Sequence, residues 1–487
     1  MEDDRISCLP EEIRDHIVSY LSMEEAIRTS VLSRKWRKVC SSLTNLKFKQ
    51  SYFERVKRLN LQQFIEIINQ TLAQHDGSDI NKFELLFDVA YKEGDQLFVP
   101  HLNEWVSFAV NHNVRKLYIW GKDWQKFRFT SSSLTTTTTT YDSLEILTLG
   151  VITLQELPRN IKFPNLKSLI LLMLDVSNAT VIQQLLSASP MLDYFSMSLR
   201  YIKDDSSNKI LHITPANLSC FCLRGWKPFH QIKFCSKNIQ KLLYQGEPPK
   251  FDSDILSTVW QAKFIVNTGL PSSPRIALRH ALNYLEALLG LPSTNTTATD
   301  HHWASKILMD LRNVFKLHLG CYFVEFLTME RGLLARLPTS CSNLKHLTLD
   351  LYPTKNQVQV ITFLLKSYPN LQVLYINIKQ QYGEEEEEEE EEEYTFNMDE
   401  SWKTEELNTD GMLEQLNGVQ IESFKGSESE FDLVRFLLGN AGVLQDMNII
   451  LSKENQTDAA TSFYIKEKIE MLTRASPIVD VSVSEIN

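Results

Sequence analysis

Along most of the chain the apolar residues keep one short phrase: two of them three positions apart, then a third two further on. It reads Val114-x-x-Leu117-x-Ile119, Leu144-x-x-Leu147-x-Leu149, Leu166-x-x-Leu169-x-Leu171, Leu192-x-x-Phe195-x-Met197 and Leu218-x-x-Phe221-x-Leu223. It resumes at Val314-x-x-Leu317-x-Leu319, Leu344-x-x-Leu347-x-Leu349 and Leu371-x-x-Leu374-x-Ile376. Apolar residues on either side of a single position share one face of a pleated strand, so each phrase predicts a strand with one buried side. Where the match is cleanest the phrases recur about every 20 to 29 residues, the length of a stacked repeat whose units bury their leucines only against their neighbours. A longer phrase recurs as well: Leu185-Leu186 before Pro190 and Leu192, Leu364-Leu365 before Pro369 and Leu371, Leu437-Leu438 before Gly442 and Leu444. It predicts a helix that ends on the paired leucines, a stop, and the leucine that opens the next strand. The expected fold class is α/β, a curved solenoid with parallel strands on its concave face and helices or loops on its convex face. Residues 240–310 are hard to phase and are expected to hold two or three weaker repeats.

The position between the last two apolar residues of each phrase, with its neighbours two away, must face outward on the concave side. These positions are rich in aromatic and basic residues: Lys116, Tyr118 and Trp120, then Tyr194, Arg224, His318, His346 and Tyr375. Aromatic and arginine anchors dominate interface energetics, so these are the candidate contacts for a protein substrate.

Residues 5–46 keep a different period. Ile13, Ile17 and Leu21 recur every four positions with Val18 beside them, which predicts a helix with one apolar face. Pro10 suits the first helical position, and Glu11 and Glu12 then meet the positive end of the helix dipole. Ser22-Met23-Glu24-Glu25 has capping-box spacing for a second helix. A third is expected near Ser33, with Trp36, Cys40 and Leu43 on one side and Arg34, Lys35, Arg37 and Lys38 as a basic rim. Three short helices bury little area alone, which implies a partner.

In order and spacing, Leu9-Pro10, Ile13, Ile17, Leu21, Ala26, Val31-Leu32-Ser33-Arg34 and Trp36 resemble the F-box in its plant form. The resemblance implies a three-helix head that docks onto a Skp-type adaptor and, through it, a cullin-based ubiquitin ligase. Leu9, Pro10, Ile13, Ile17, Leu21, Val31, Leu32, Ser33 and Trp36 are then the adaptor contacts. Near the other end, residues 418–426 and 436–449, with Arg474-Ala475-Ser476-Pro477 after them, resemble the FBD segment of plant F-box and leucine-rich-repeat proteins. The whole chain is thus similar to the F-box/FBD/LRR family. The organisation expected is an F-box at 1–47, a helical linker and lead-in to the repeats at 48–113, and divergent leucine-rich repeats at 114–382. An acidic insertion at 383–400 and FBD-like repeats at 401–487 complete it.

Composition changes little in this picture. The formal net charge is −11, but ten of the negative charges are Glu384 to Glu393. The remainder is close to balanced, without the basic excess of a nucleic-acid binder. Like charges at that density repel, so 383–400 is expected to be disordered, and the polar tracts at 131–140 and 293–299 are expected to be loops. Seven scattered cysteines make no disulfide framework, and no apolar run is long enough to span a bilayer. A cytoplasmic or nuclear protein with no membrane contact is expected.

The sequence holds no Gly-rich phosphate loop, no nucleophile elbow and no His-Glu-x-x-His. Cys220 and Cys222 would share a strand face, whereas zinc sites favour wider spacing on turns, and His301-His302 lacks a second ligand pair. No metal and no cofactor are expected. The function expected is a non-catalytic substrate receptor that works by proximity, holding an unidentified protein near a ubiquitin-charged enzyme. The alternative is a repeat scaffold that binds the adaptor without directing degradation. An enzyme or a small-molecule receptor would need a polar pocket that the sequence does not display.

Overall fold

One hydrogen-bond arrangement repeats along the chain. In the computed structural model the residue before most of the strands offers its carbonyl oxygen to two consecutive amides of the next repeat. Arg115 O accepts from the N–H groups of Glu145 (2.8 Å) and Ile146 (3.1 Å), Glu145 O from Lys167 and Ser168, Lys167 O from Asp193 and Tyr194, and Asp193 O from Ser219 and Cys220. The same arrangement runs through Gln240, Trp260, Phe315, Lys345, Gln372 and Asn417. Buried backbone groups must find partners, and a doubly used acceptor at one fixed place in the repeats that have it sets the next strand parallel and in register with the last.

The structure describes residues 6–20, 25–26, 29, 32–57, 60–87, 98–121, 128–129, 140–150, 153–154, 157–158, 160–176, 179–202, 210–225, 229, 231–246, 250–251, 253–266, 303–329, 343–352, 355–379, 413–453 and 459–485. Leu21, Val31, Ser22 to Glu24, residues 131–139 and 293–299, His301, His302 and the acidic stretch 383–400 lie outside them. The chain forms two compact units, residues 1–236 and 237–487.

The first unit opens with helices α1 (Glu11–Ser19) and α2 (Arg34–Ser41). Val18, Ala26, Trp36 and Val39 make a small core, with Ile17 and Leu43 packed against it. Pro10 occupies the N-cap of α1, one place before the first helical position, because its ψ of 152° is still extended; Glu11 and Glu12 do fill the first turn. Ser33 caps α2 by accepting from the Trp36 amide, and Ser7 donates to the Ser33 hydroxyl at 2.9 Å. Strand β1 (Asn45–Lys49) follows almost at once, then α3 (Gln50–Lys57), α4 (Leu61–Ala73) and β2 (Lys82–Phe87). Next come α5 (Phe98–Asn111), β3 (Lys116–Gly121), β4 (Ile146–Gly150), β5 (Ser168–Val176), α6 (Ala179–Ser187), β6 (Tyr194–Ile202) and β7 (Cys220–Gly225). These strands pair in that order, all parallel.

The second unit repeats the plan. Its strands are β8 (Lys241–Gly246), β9 (Gln261–Val266), β10 (Lys316–Leu319), β11 (His346–Leu351), β12 (Val373–Ile378), β13 (Gly418–Phe424), β14 (Asp446–Leu451) and β15 (Asp480–Ser484). Each pairs parallel with the next. Between them lie α7 (Trp303–Asp310), α8 (Cys321–Met329), α9 (Lys355–Ser367), α10 (Glu428–Asn440) and α11 (Ala459–Glu470). Within the stretch that sequence could not phase, β8 and β9 are two such repeats, with Leu242, Tyr244, Ala262 and Phe264 inward.

The paired-leucine phrase behaves as predicted in α6, α9 and α10, where all six leucines are buried. Each helix end is closed by a polar side chain turned back to the carbonyl four residues earlier: Ser189 to Leu185, Ser367 to Phe363, Asn440 to Phe436. Helix α10 also begins on a capping box, in which the buried Glu430 carboxylate accepts from the amides of Lys425 and Ser427. Two results differ from expectation at 48–113: Phe48 is buried on a strand, not on a helix, and a full strand, β2, precedes residue 114. No helix among the described residues is long and apolar enough to cross a membrane.

Candidate functional site

The head keeps little apolar surface for itself. Its core turns Val18 and Trp36 inward, each 2% exposed, while Ile13 on α1 is 46% exposed and Leu32, just before α2, is 62% exposed; Ile6 and Tyr20 are exposed too. Isolated surface apolar residues are ordinary, but four in so small a head is a concentration that marks contact sites. Of the residues picked out in sequence, Pro10, Ile13 and Leu32 present themselves to solvent, and Leu9 and Ile17 are half-buried. Ser33 is committed to the cap of α2. Trp36 supports the head from within: at 2% exposure it offers no surface in this chain. Leu21 and Val31 lie outside the described residues.

The head is tied down. The Asp76 amide donates to Ser41 O at 3.0 Å, and His75 Nε2 lies 3.1 Å from Leu43 O. The His75 ring packs on Phe108 and His112 of the α5 end, which fixes the head to the first repeats through side chains as well as backbone.

The second candidate surface is the outward side of the sheets. The predicted alternation is present: along β3, Leu117 and Ile119 are buried while Lys116, Tyr118 and Trp120 are half-buried on the opposite face. In the first unit, Tyr194 stands on β6 in register with Cys220, and Arg224 is exposed on β7 in register with Ser198. Not every outward position is open, since Ser196 and Cys222 are buried. In the second unit, His318, Thr348 and Tyr375 form one cross-strand row, and His346 stands beside Lys316. Burial, and then the nearby Lys316 charge, hold the His346 imidazole below its ordinary value. Tyr375 is 40% exposed.

A polar cluster closes that row at the strand ends. His318 Nε2 is 2.9 Å from Asp350 Oδ2, and Asn377 donates to Asp350 Oδ1 at 2.7 Å. Burial alone would raise the Asp350 carboxyl, but the bonds from His318 and Asn377 and the charges of His318 and Lys379 hold it below its usual range. Cys321 is close by, yet burial, reinforced by Asp350, pushes its thiol up to about 12. A thiol so placed stays protonated at neutral pH and is a poor nucleophile. Among the described residues no group of three or more His, Cys, Asp or Glu is placed to hold a metal.

Sequence reasoning missed one group. On β1 and β2 the Glu84 carboxylate, 8% exposed, lies between two ammonium groups. Lys82 pairs with its Oε1, and Lys47 lies 3.4 Å from its Oε2, which has no closer donor among the described residues. The Lys82 ammonium also sits 5.0 Å over the Tyr118 ring. The signal was present: Leu43-x-x-Leu46-x-Phe48 and Ile80-x-x-Phe83-x-Leu85 are the repeat phrase with phenylalanine in place of leucine.

Three stretches match families of known proteins. Residues 6–48 match the F-box domain, residues 102–246 the repeats described as "FBD-associated F-box protein At5g56370, LRR repeats", and residues 411–449 the FBD. Among individual proteins, an F-box/LRR-repeat protein of Arabidopsis thaliana is 27% identical over 380 residues, 76% of this chain and 71% of the relative. An F-box/FBD/LRR-repeat protein of the same plant is 23% identical over 465 residues, 92% of this chain and 89% of the relative. An FBD-associated F-box protein is 31% identical over 215 residues, covering 44% of this chain and 49% of the relative.

Proposed function

This chain belongs to the F-box/FBD/LRR family of plants, and from that premise we propose that it is the substrate-recognition subunit of a Skp, cullin and F-box ubiquitin ligase. An F-box binds a Skp-type adaptor in general, and F-box/LRR proteins are in general non-catalytic receptors. The finer reading gives the head to the adaptor and the outward face of the repeats to a protein substrate. The observation that carries it is the head's division of labour: Trp36 and Val18 hold the fold, while Ile13 and Leu32 are left in water. The head's hydrogen bonds to residues 75 and 76 support the same reading, because a receptor that works by proximity must keep its two surfaces at a fixed distance.

The test uses those two exposed residues. Ile13→Asp and Leu32→Asp place a charge where the adaptor would have to desolvate it, at a cost of several kcal/mol, and should abolish co-purification of the adaptor. Neither side chain is in the head's core, so the thermal midpoint should hold. Adaptor recovery at the wild-type level from both variants would sink the assignment. Affinity purification with and without a cullin inhibitor then separates the receptor from a scaffold: partners of a receptor accumulate on inhibition, and those of a scaffold do not.

A further inference from the structure

Apart from Glu384 to Glu393 the charge of the chain is close to balanced, so a group of lysines with one carboxylate among them is a local excess. Strands β1 to β3 carry such a group. Lys47, Lys49, Lys82 and Lys116 occupy outward positions there, and the acidic residue among them is Glu84. Glu84 fixes two of the lysines without using them up, because each ammonium has three donors and the Lys47 contact at 3.4 Å is long. Both side chains remain accessible: that of Lys47 is 56% exposed and that of Lys82 37%. Lys49 heads a row whose other members are apolar: Leu86, Trp120 and Gly150 follow it in register on β2, β3 and β4, all on the outward side, and the Trp120 indole lies against Gly150.

We propose that this face captures an acidic polypeptide segment carrying an apolar side chain, with its carboxylates on Lys47, Lys82 and Lys116 and its apolar residue against Trp120. The inference rests on the reading of the repeats as the substrate surface and names the chemistry of the substrate. Opposite charge steers such a segment in and fixes its register, while the indole contributes the buried contact. Glu84 is a positioning residue: it holds the Lys82 ammonium over Tyr118, so that the cations stand as a fixed pair.

The experiment is a fluorescence-anisotropy titration of the full chain with a labelled peptide of alternating glutamate and glycine around one phenylalanine. Lys82→Ala and Lys116→Glu should each weaken binding by about five- to tenfold, and raising the salt should weaken it further. Lys162→Ala, which removes an exposed lysine beside helix α6, should leave the affinity unchanged. Three results would overturn the proposal: equal affinity for the peptide with lysine in place of glutamate, an equal loss in Lys162→Ala, or tighter binding of a single-stranded oligouridine than of the acidic peptide. The assay needs no adaptor, so its outcome is independent of Ile13→Asp. Loss of the adaptor with peptide binding intact would remove the ligase reading alone, and the reverse would remove the acidic substrate alone.

Discussion

Among the described residues each unit buries one carboxylate on the outward side of its sheet, Glu84 and Asp350, and the two have opposite consequences. Glu84 in the first unit faces two lysines, which stay largely in water. Asp350 in the second faces His318 and Asn377, and both of its oxygens are bonded at 2.9 Å or less. A carboxylate matched by neutral or half-buried donors completes a closed network and rigidifies the sheet. One flanked by long, exposed cations leaves net positive charge and spare donors. The same residue chemistry on the same scaffold therefore yields a structural brace in one unit and a binding face in the other. The difference is set by what the neighbouring strands place in register.

The largest effect expected from this comparison is on stability. Asp350→Ala strands His318 and Asn377 in a half-buried site and should cost about 1–3 kcal/mol of unfolding free energy, read as a lower urea midpoint. Glu84→Ala should cost about 1 kcal/mol or less, because its lysines can turn to solvent. A greater loss from Glu84→Ala than from Asp350→Ala would break the distinction.

Acid sharpens it. The Asp350 carboxyl is held below the ordinary aspartate value, so as pH falls the unfolded chain takes up the proton first. The stabilisation is complete above the unfolded value of about 4 and is lost as pH drops through the folded one. The gap in urea midpoint between the native chain and Asp350→Ala should thus narrow as pH falls below about 4. A gap that fails to narrow there would mean that Asp350 is not bonded as a carboxylate.

Much of this was legible in the sequence, and the reasons for the rest are physical. The strands β3 to β7 and β10 to β12 announce themselves because aliphatic residues, with an occasional phenylalanine, fill the inward positions. Strands β8 and β9 do not, since Tyr244 and Ala262 do the same work with a different shape, and β1 and β2 keep the phrase, with Phe48 and Phe83 inward, inside a stretch whose period reads as helical. The stack requires inward apolar volume and not leucine as such. Outward direction was legible from the period of two, but openness was not: Ser196 and Cys222 are covered, and Asp350 is buried by its own partners. For the head, periodicity marked the apolar residues without separating Trp36, which builds the core, from Ile13 and Leu32, which leave it. Short helices expose and bury apolar residues at the same spacing, and only packing tells them apart.

The smallest expected effect is that of Gly150→Ala, in the row that flanks the basic face. A Cβ placed on Gly150 would come within 2.7 Å of Trp120 Cζ3, closer than real Cβ contacts allow, so the indole rests where it does only because its neighbour is glycine. Trp120→Ala removes the apolar anchor and should weaken capture of the acidic peptide by roughly 30-fold, the size of a hot spot of about 2 kcal/mol. Gly150→Ala leaves the indole in the molecule but lifts it from its seat, and should weaken capture by only about two- to fivefold. Tyr375→Ala, on the second unit's sheet, should not change this affinity at all. The pair Trp120 and Gly150 isolates position from presence. If Gly150→Ala binds as well as the native chain while Trp120→Ala does not, the indole engages the peptide wherever it lies. The pre-set geometry of the row would then contribute nothing to capture.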